Sequence, residues 1–131
     1  MGSEGIAGVR VLIVEDEAMI AMLLQDMLEE MGCVVAATAA SLDDALRAAA
    51  SDPLDLAILD VNLGGTETYP VADALRRRGV PYVFSTGYTQ NAIVHNGMLD
   101  PGVDMIGKPF TQTEIARKLA QVLDRAAPAA G

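Results

Sequence analysis

Two hydrophobic patterns alternate along the chain: short, almost unbroken apolar runs, and longer stretches with apolar residues every three or four positions. Val9 to Val14 is a run of the first kind and predicts a buried strand. From Glu17 to Met31 the apolar residues follow helical spacing, and Gly32 closes that helix. Cys33 to Ala39 predicts a second strand. Ser41 followed by Asp43 and Asp44 reads as an N-cap with an acidic first turn, opening a helix to about Ser51. Asp55 to Asp60 is the clearest strand, an apolar run ending on a carboxylate, bounded by Pro53 and by Gly64-Gly65. A Gly-rich loop, Val61 to Tyr69, leads to a helix with Pro70 in its first turn, an apolar face of Val71, Ala74 and Leu75, and a stop at Gly79. Val80 to Ser85 and Val103 to Ile106 predict the fourth and fifth strands. Thr89 to Asp100 shows little amphipathic pattern and supports at most a short helix. Thr111-Gln112-Thr113-Glu114 is a capping box that opens a last helix to about Ala126.

Five strand-helix repeats with short connections predict an α/β domain, a parallel sheet with helices on both faces. The expected architecture is doubly wound and flavodoxin-like, with strand order 2-1-3-4-5. The domain spans residues 9–126, with disorder expected at 1–8 and 127–131. Right-handed crossovers put the carboxyl end of every strand on one rim.

The 131 residues suit one domain, and with few aromatics the core must be built from Val, Ile, Leu, Met and Ala. The formal charge of −9 argues against sequence-independent nucleic-acid binding and against anionic membrane surfaces. Arg76-Arg77-Arg78 reads as the solvated end of a helix. The single cysteine, Cys33, excludes an intrachain disulfide and reads as a small buried hydrophobe. No apolar run is long enough to span a bilayer, and no signal peptide is visible, so a cytoplasmic location is expected.

The rim carries the candidate chemistry. The first strand delivers Glu15 and Asp16, the third Asp60, the fourth Ser85 and Thr86, the fifth Lys108. Taken singly, each has an ordinary reading. Asp60 opens a turn, at odds of about two to one from the turn preferences of Asp. Glu15-Asp16-Glu17 forms the acidic first turn of a helix, Thr86 is a turn residue, and Lys108 is a loop lysine. Together they converge at the switch point of the sheet. Clustered carboxylates repel and call for a cation. Oxygen-only ligands favour Mg²⁺, which binds few carboxylates and completes its shell with water and phosphate oxygens. A carboxylate beside a divalent cation and an ammonium can act as nucleophile and form an aspartyl-phosphate.

In this combination the chain resembles the receiver domain of two-component response regulators over about Val9 to Ala126. The matching residues are Glu15-Asp16, Asp60, Thr86 and Lys108-Pro109, with 44 residues from Asp16 to Asp60 and 22 from Thr86 to Lys108. Phe84-Ser85-Thr86-Gly87-Tyr88 is similar to the Phe-Ala-Thr-Gly-Tyr signature of the subgroup called FAT GUY receivers. The resemblance implies that Asp60 is the phosphoacceptor. Glu15, Asp16 and Asp60 then hold Mg²⁺ together with the backbone carbonyl of Asn62. Thr86 is the switch hydroxyl, Lys108 contacts the phosphate, and the Lys108-Pro109 peptide is expected to be cis. The implied donor is a histidine kinase or phosphotransfer protein. Catalysis is limited to Mg²⁺-dependent autophosphorylation and slow autodephosphorylation. With no effector segment after Ala126, output is expected through contact with a further protein or a phosphorelay, from a monomer or weak dimer.

The chain departs from the commoner pattern. Its acidic pair is Glu-Asp, and the longer Glu can reach the ion through water. Met105 stands where many receivers carry an aromatic switch residue, and Tyr88 is a candidate replacement. The 26 residues from Asp60 to Thr86 imply a trimmed loop or helix after the third strand. Three rivals are weaker. An Asp-nucleophile phosphatase typically has a second Asp where this chain has Asn62. A flavodoxin-like small-ligand binder is supported only by Gly64-Gly65. A receiver-like scaffold that takes no phosphate is disfavoured, but left open, by the intact acids. His95, the only histidine, has no second ligand nearby in sequence and reads as structural.

Overall fold

The computed structural model describes residues 6–51, 53–63, 66–86, 105–107 and 111–126. The strands are β1 (Arg10–Val14), β2 (Val34–Ala39), β3 (Leu56–Asp60), β4 (Asn62–Leu63), β5 (Thr66–Glu67), β6 (Tyr82–Thr86) and β7 (Met105–Gly107). The helices are α1 (Ala18–Glu30), α2 (Leu42–Ser51), α3 (Tyr69–Arg78) and α4 (Gln112–Ala126). Five strands form a parallel sheet in the order β2-β1-β3-β6-β7, the doubly wound order expected from the sequence. The segment Thr89 to Asp100, with His95, lies outside the described residues, as do Tyr88 and residues 1–5 and 127–131.

Strand alternation divides the core into two layers. Val11, Ile13, Leu56, Ile58 and Val83 point to one face, where Leu24 and Leu28 of α1 and Ile115 and Leu119 of α4 cover them. Leu12, Val14, Ala57, Leu59 and Phe84 point to the other, against α2 and α3. All five residues of β3 are buried, as a central strand of a parallel sheet requires. Each fully buried Leu or Ile contributes about 1.5–3 kcal/mol relative to exposure.

The helix ends follow local chemistry. Ser41 Oγ accepts the Asp44 N–H at 3.2 Å, opening α2. The Thr111–Glu114 capping box is complete: the Glu114 N–H donates to Thr111 Oγ1 at 3.1 Å, and Glu114 Oε1 accepts the Thr111 N–H at 3.1 Å. Helix α3 ends on Gly79 at φ +74°, and the Val80 N–H reaches back to the Leu75 carbonyl at 2.9 Å.

Three features depart from the expected pattern. The loop after β3 contains a small antiparallel hairpin, β4 with β5, in which Asn62 pairs with Glu67 and Leu63 with Thr66. The edge strand β2 carries an extra residue, Ala36, because Val11 pairs with Val35 and Leu12 with Ala37. At the start of the chain, packing extends to Ile6, ahead of the expected boundary at Val9. Ile6 is fully buried in the α1/α4 layer, and the Gly8 N–H donates to the Gly32 carbonyl at 2.7 Å. Cys33 is buried and free, with Sγ 3.4 Å from the Ile6 carbonyl, and burial pushes its thiol pKa up.

Candidate phosphoacceptor site

The candidate site forms where β1 and β3 end. Glu15 directly follows β1, and its N–H continues the ladder by donating to the Ala39 carbonyl at 3.0 Å. Glu15 is 2% exposed, and its Oε2 accepts the Glu17 N–H at 3.1 Å. That bond turns the chain into α1, which begins only at Ala18 and has no acid in its first turn. Glu15-Asp16-Glu17 is therefore not an ordinary acidic helix start. Asp60 is the last residue of β3 and is 8% exposed. A carboxylate oxygen from each of Glu15, Asp16 and Asp60 lies within 4.8 Å of the others. Three acids this close repel one another, and a divalent cation relieves that repulsion. The donors are all hard oxygens, so they fit Mg²⁺ better than a thiophilic metal.

The segment after Asp60 is tied down. The Val61 N–H donates to the Ser85 carbonyl at 3.1 Å, extending the β3–β6 ladder past Asp60. Thr68 is fully buried. Its Oγ1 donates to the Asp60 carbonyl at 2.6 Å and lies 3.3 Å from the Val61 carbonyl, while its N–H reaches the Val61 carbonyl at 3.2 Å. With the hairpin starting at Asn62, these bonds close the loop 61–68. Nothing in the sequence pattern assigns Thr68 this task. A Thr just before a helix with Pro in its first turn has the local signature of an N-cap, yet Thr68 makes no side-chain cap bond to α3.

Of the remaining predicted residues, Asn62 lies at the mouth of the hairpin. Thr86 ends β6 and pairs with Gly107 of β7. Met105 pairs with Phe84. Lys108, Pro109 and Gly64-Gly65 lie outside the described residues. Beside the site, Phe84 meets Tyr69 and Tyr82 edge to face, with ring centroids 6.1 and 5.6 Å apart. Burial, then the Glu67 carboxylate, holds the Tyr69 phenol above its ordinary pKa. The three arginines end α3: Arg76 donates to Asp73 at 3.1 Å and to the Tyr82 hydroxyl at 3.0 Å, and Arg78 donates to the Ala49 carbonyl at 2.6 Å. Arg76 and Arg78 are thus structural as well as solvated.

A doubly wound sheet with three acids at the ends of its first and third strands is the architecture of a signalling receiver. The response regulator receiver domain family matches residues 11–120, and the chain belongs to that family. Such domains are the receivers of two-component systems. The chain is 30% identical over 116 residues to the transcriptional regulatory protein YvrH of Bacillus subtilis, covering 88% of this chain and 49% of YvrH. It is 29% identical over 117 residues to the transcriptional regulatory protein PdtaR of Mycobacterium tuberculosis, covering 88% and 57%. The chain thus spans about half the length of the curated relatives it matches. Among solved structures, SdrG from Sphingomonas melonis Fr1 is 38% identical with TM-score 0.75, covering 91% of this chain and 98% of SdrG. The PhyR receiver domain of Erythrobacter litoralis is 29% identical with TM-score 0.79, covering 95% and 98%. No helix among the described residues is long and apolar enough to cross a membrane.

Proposed function

We propose that this receiver accepts a phosphoryl group on Asp60 from a phosphorylated histidine of a kinase or phosphotransfer protein. The observation that carries this reading is the position of Asp60, at the end of a fully buried central strand, within 4.8 Å of Glu15 and Asp16. An Asp60 carboxylate oxygen attacks phosphorus. The phosphorus–nitrogen bond of the donor breaks, its electron pair stays on the imidazole nitrogen, and that nitrogen then takes a proton. Glu15, Asp16, Asp60 and the backbone carbonyl of Asn62 are the residues to hold Mg²⁺. When bound, the ion neutralises the negative charge that the carboxylates and the phosphoryl oxygens bring together. Thr86, as the last residue of the fourth sheet strand, and Lys108, by its place after the fifth, are assigned to the phosphoryl oxygens.

Output runs through a protein contact or onward phosphotransfer, with phosphorylation shifting a pre-existing equilibrium of the rim. The test is intact mass after incubation with Mg²⁺ and a small phosphodonor such as acetyl phosphate. Wild type is expected to gain one phosphoryl group and Asp60→Asn none. No gain by wild type overturns the proposal, and equal gain by both overturns the assignment of Asp60.

A further inference from the structure

Among the described residues, Ser85 Oγ is the one buried side-chain oxygen or nitrogen without a hydrogen-bond partner. Ser85 is 1% exposed, so bulk solvent does not reach its hydroxyl. Leaving a buried hydroxyl unbonded is costly, which makes its location informative. Ser85 is the register partner of Asp60 across the β3–β6 ladder. Leu56 and Ile58 of β3, and Val83 of β6, all pack in the α1/α4 layer. By alternation Asp60 and Ser85 continue that same face, side by side on strands about 4.8 Å apart. The hydroxyl therefore stands next to the phosphoacceptor and is not bonded to it. The signature that the segment resembles has Ala at this place, without a hydroxyl.

We propose that Ser85 is a binding residue for the phosphorylated state: its hydroxyl donates a hydrogen bond to an oxygen of the aspartyl phosphate at Asp60. This rests on Asp60 being the phosphoacceptor. Phosphorylation brings three strong acceptor oxygens to the site. The donor is unbonded in the resting protein and bonded in the modified one, so its whole contribution favours the modified state. Ser85 itself forms no covalent bond in this scheme.

The test uses beryllofluoride, a phosphoryl mimic, bound in the presence of Mg²⁺ to wild type, Ser85→Ala and Ser85→Cys. Alanine removes the hydroxyl, and cysteine keeps the side-chain size with only a weak donor. Both variants are expected to bind beryllofluoride roughly three- to tenfold more weakly, the range for one hydrogen bond. The unliganded Ser85→Ala protein is expected to melt at or above the wild-type temperature, because an unbonded buried group has been removed. Equal affinity of wild type and Ser85→Ala overturns this inference and leaves the phosphoacceptor reading standing. A Ser85→Cys protein that binds like wild type assigns the effect to volume and overturns it too. A lower melting temperature for unliganded Ser85→Ala shows that the hydroxyl was already bonded, and likewise overturns the inference. Failure of wild type to bind the mimic overturns the phosphoacceptor reading itself.

Discussion

Strands β1 and β3 run side by side and carry charge at both ends, in opposite ways. At their amino ends Arg10 and Asp55 meet in a bidentate pair. Arg10 Nε and Nη2 each reach an Asp55 oxygen at 3.0 Å, and the Arg10 N–H adds a third bond at 2.9 Å. At their carboxyl ends Glu15, Asp16 and Asp60 gather like charges within 4.8 Å. The first arrangement is complete within the chain and has only structural work to do. The second gathers like charges whose mutual repulsion a divalent cation relieves, and so makes a site responsive to what binds there.

The largest effect is expected from cutting the strand that joins the two ends. Ile58 lies midway between Asp55 and Asp60 and is buried in the α1/α4 layer. Ile58→Ala should cost about 2–5 kcal/mol in urea unfolding, through lost transfer energy and the cavity left behind. It removes no charge from either end. A loss well under that range would mean that the sheet is not the common support of both ends.

Next comes the cation itself. Magnesium at a hundred times its dissociation constant should stabilise the wild type by about 2.7 kcal/mol, read as a rise in melting temperature. Asp16→Asn and Asp60→Asn should lose most of that rise. Without metal Asp16→Asn should melt at or above wild type, because one repulsive charge has gone. Asp55→Asn should keep the full magnesium response. If it loses the response as the rim variants do, the two ends are not independent.

A smaller effect is expected at Thr68, which ties the carbonyl of Asp60 to the start of α3. Thr68→Val keeps the shape and removes the bond, at a net cost of about 1 kcal/mol. Thr68→Ser should recover most of that cost in the same unfolding measurement.

The two ends differ in how far the sequence reveals them. Glu15, Asp16 and Asp60 are legible because each closely follows an apolar run, and strand ends share a rim in a parallel sheet. The capping box at Thr111–Glu114 is legible because its bonds are local. Thr68 is not, since the partner of its hydroxyl lies eight residues back across a loop whose path local sequence does not specify. The β4–β5 hairpin is hidden for the same reason: two-residue strands carry no period to detect. Ala36 is hidden because a bulge in an Ala-rich edge strand breaks no visible alternation. Ile6 stands among glycines and outside any run, so only the tertiary contact reveals it. Asp55 reads in sequence as the start of a strand, and its bidentate partner 45 residues away is invisible there.

That pair sets the smallest prediction. Hydrogen bonds from the Arg10 side chain and N–H hold the Asp55 carboxyl below its ordinary pKa. For a carboxyl depressed on folding, the stabilisation is fully present above the unfolded-state pKa and is lost as pH falls through the folded one. The affected window is therefore the acid limb, beginning near the ordinary Asp value of 3.8 and extending below it. The two side chains are 46% and 39% exposed, so solvent screens most of the interaction. Asp55→Asn should lower the melting temperature slightly at neutral pH. As pH falls below the carboxylate range, the variant and wild-type curves should converge. A gap that persists at low pH would place the contribution in packing at the amino end, and the contrast of a charge-paired end with a charge-loaded one would fail there.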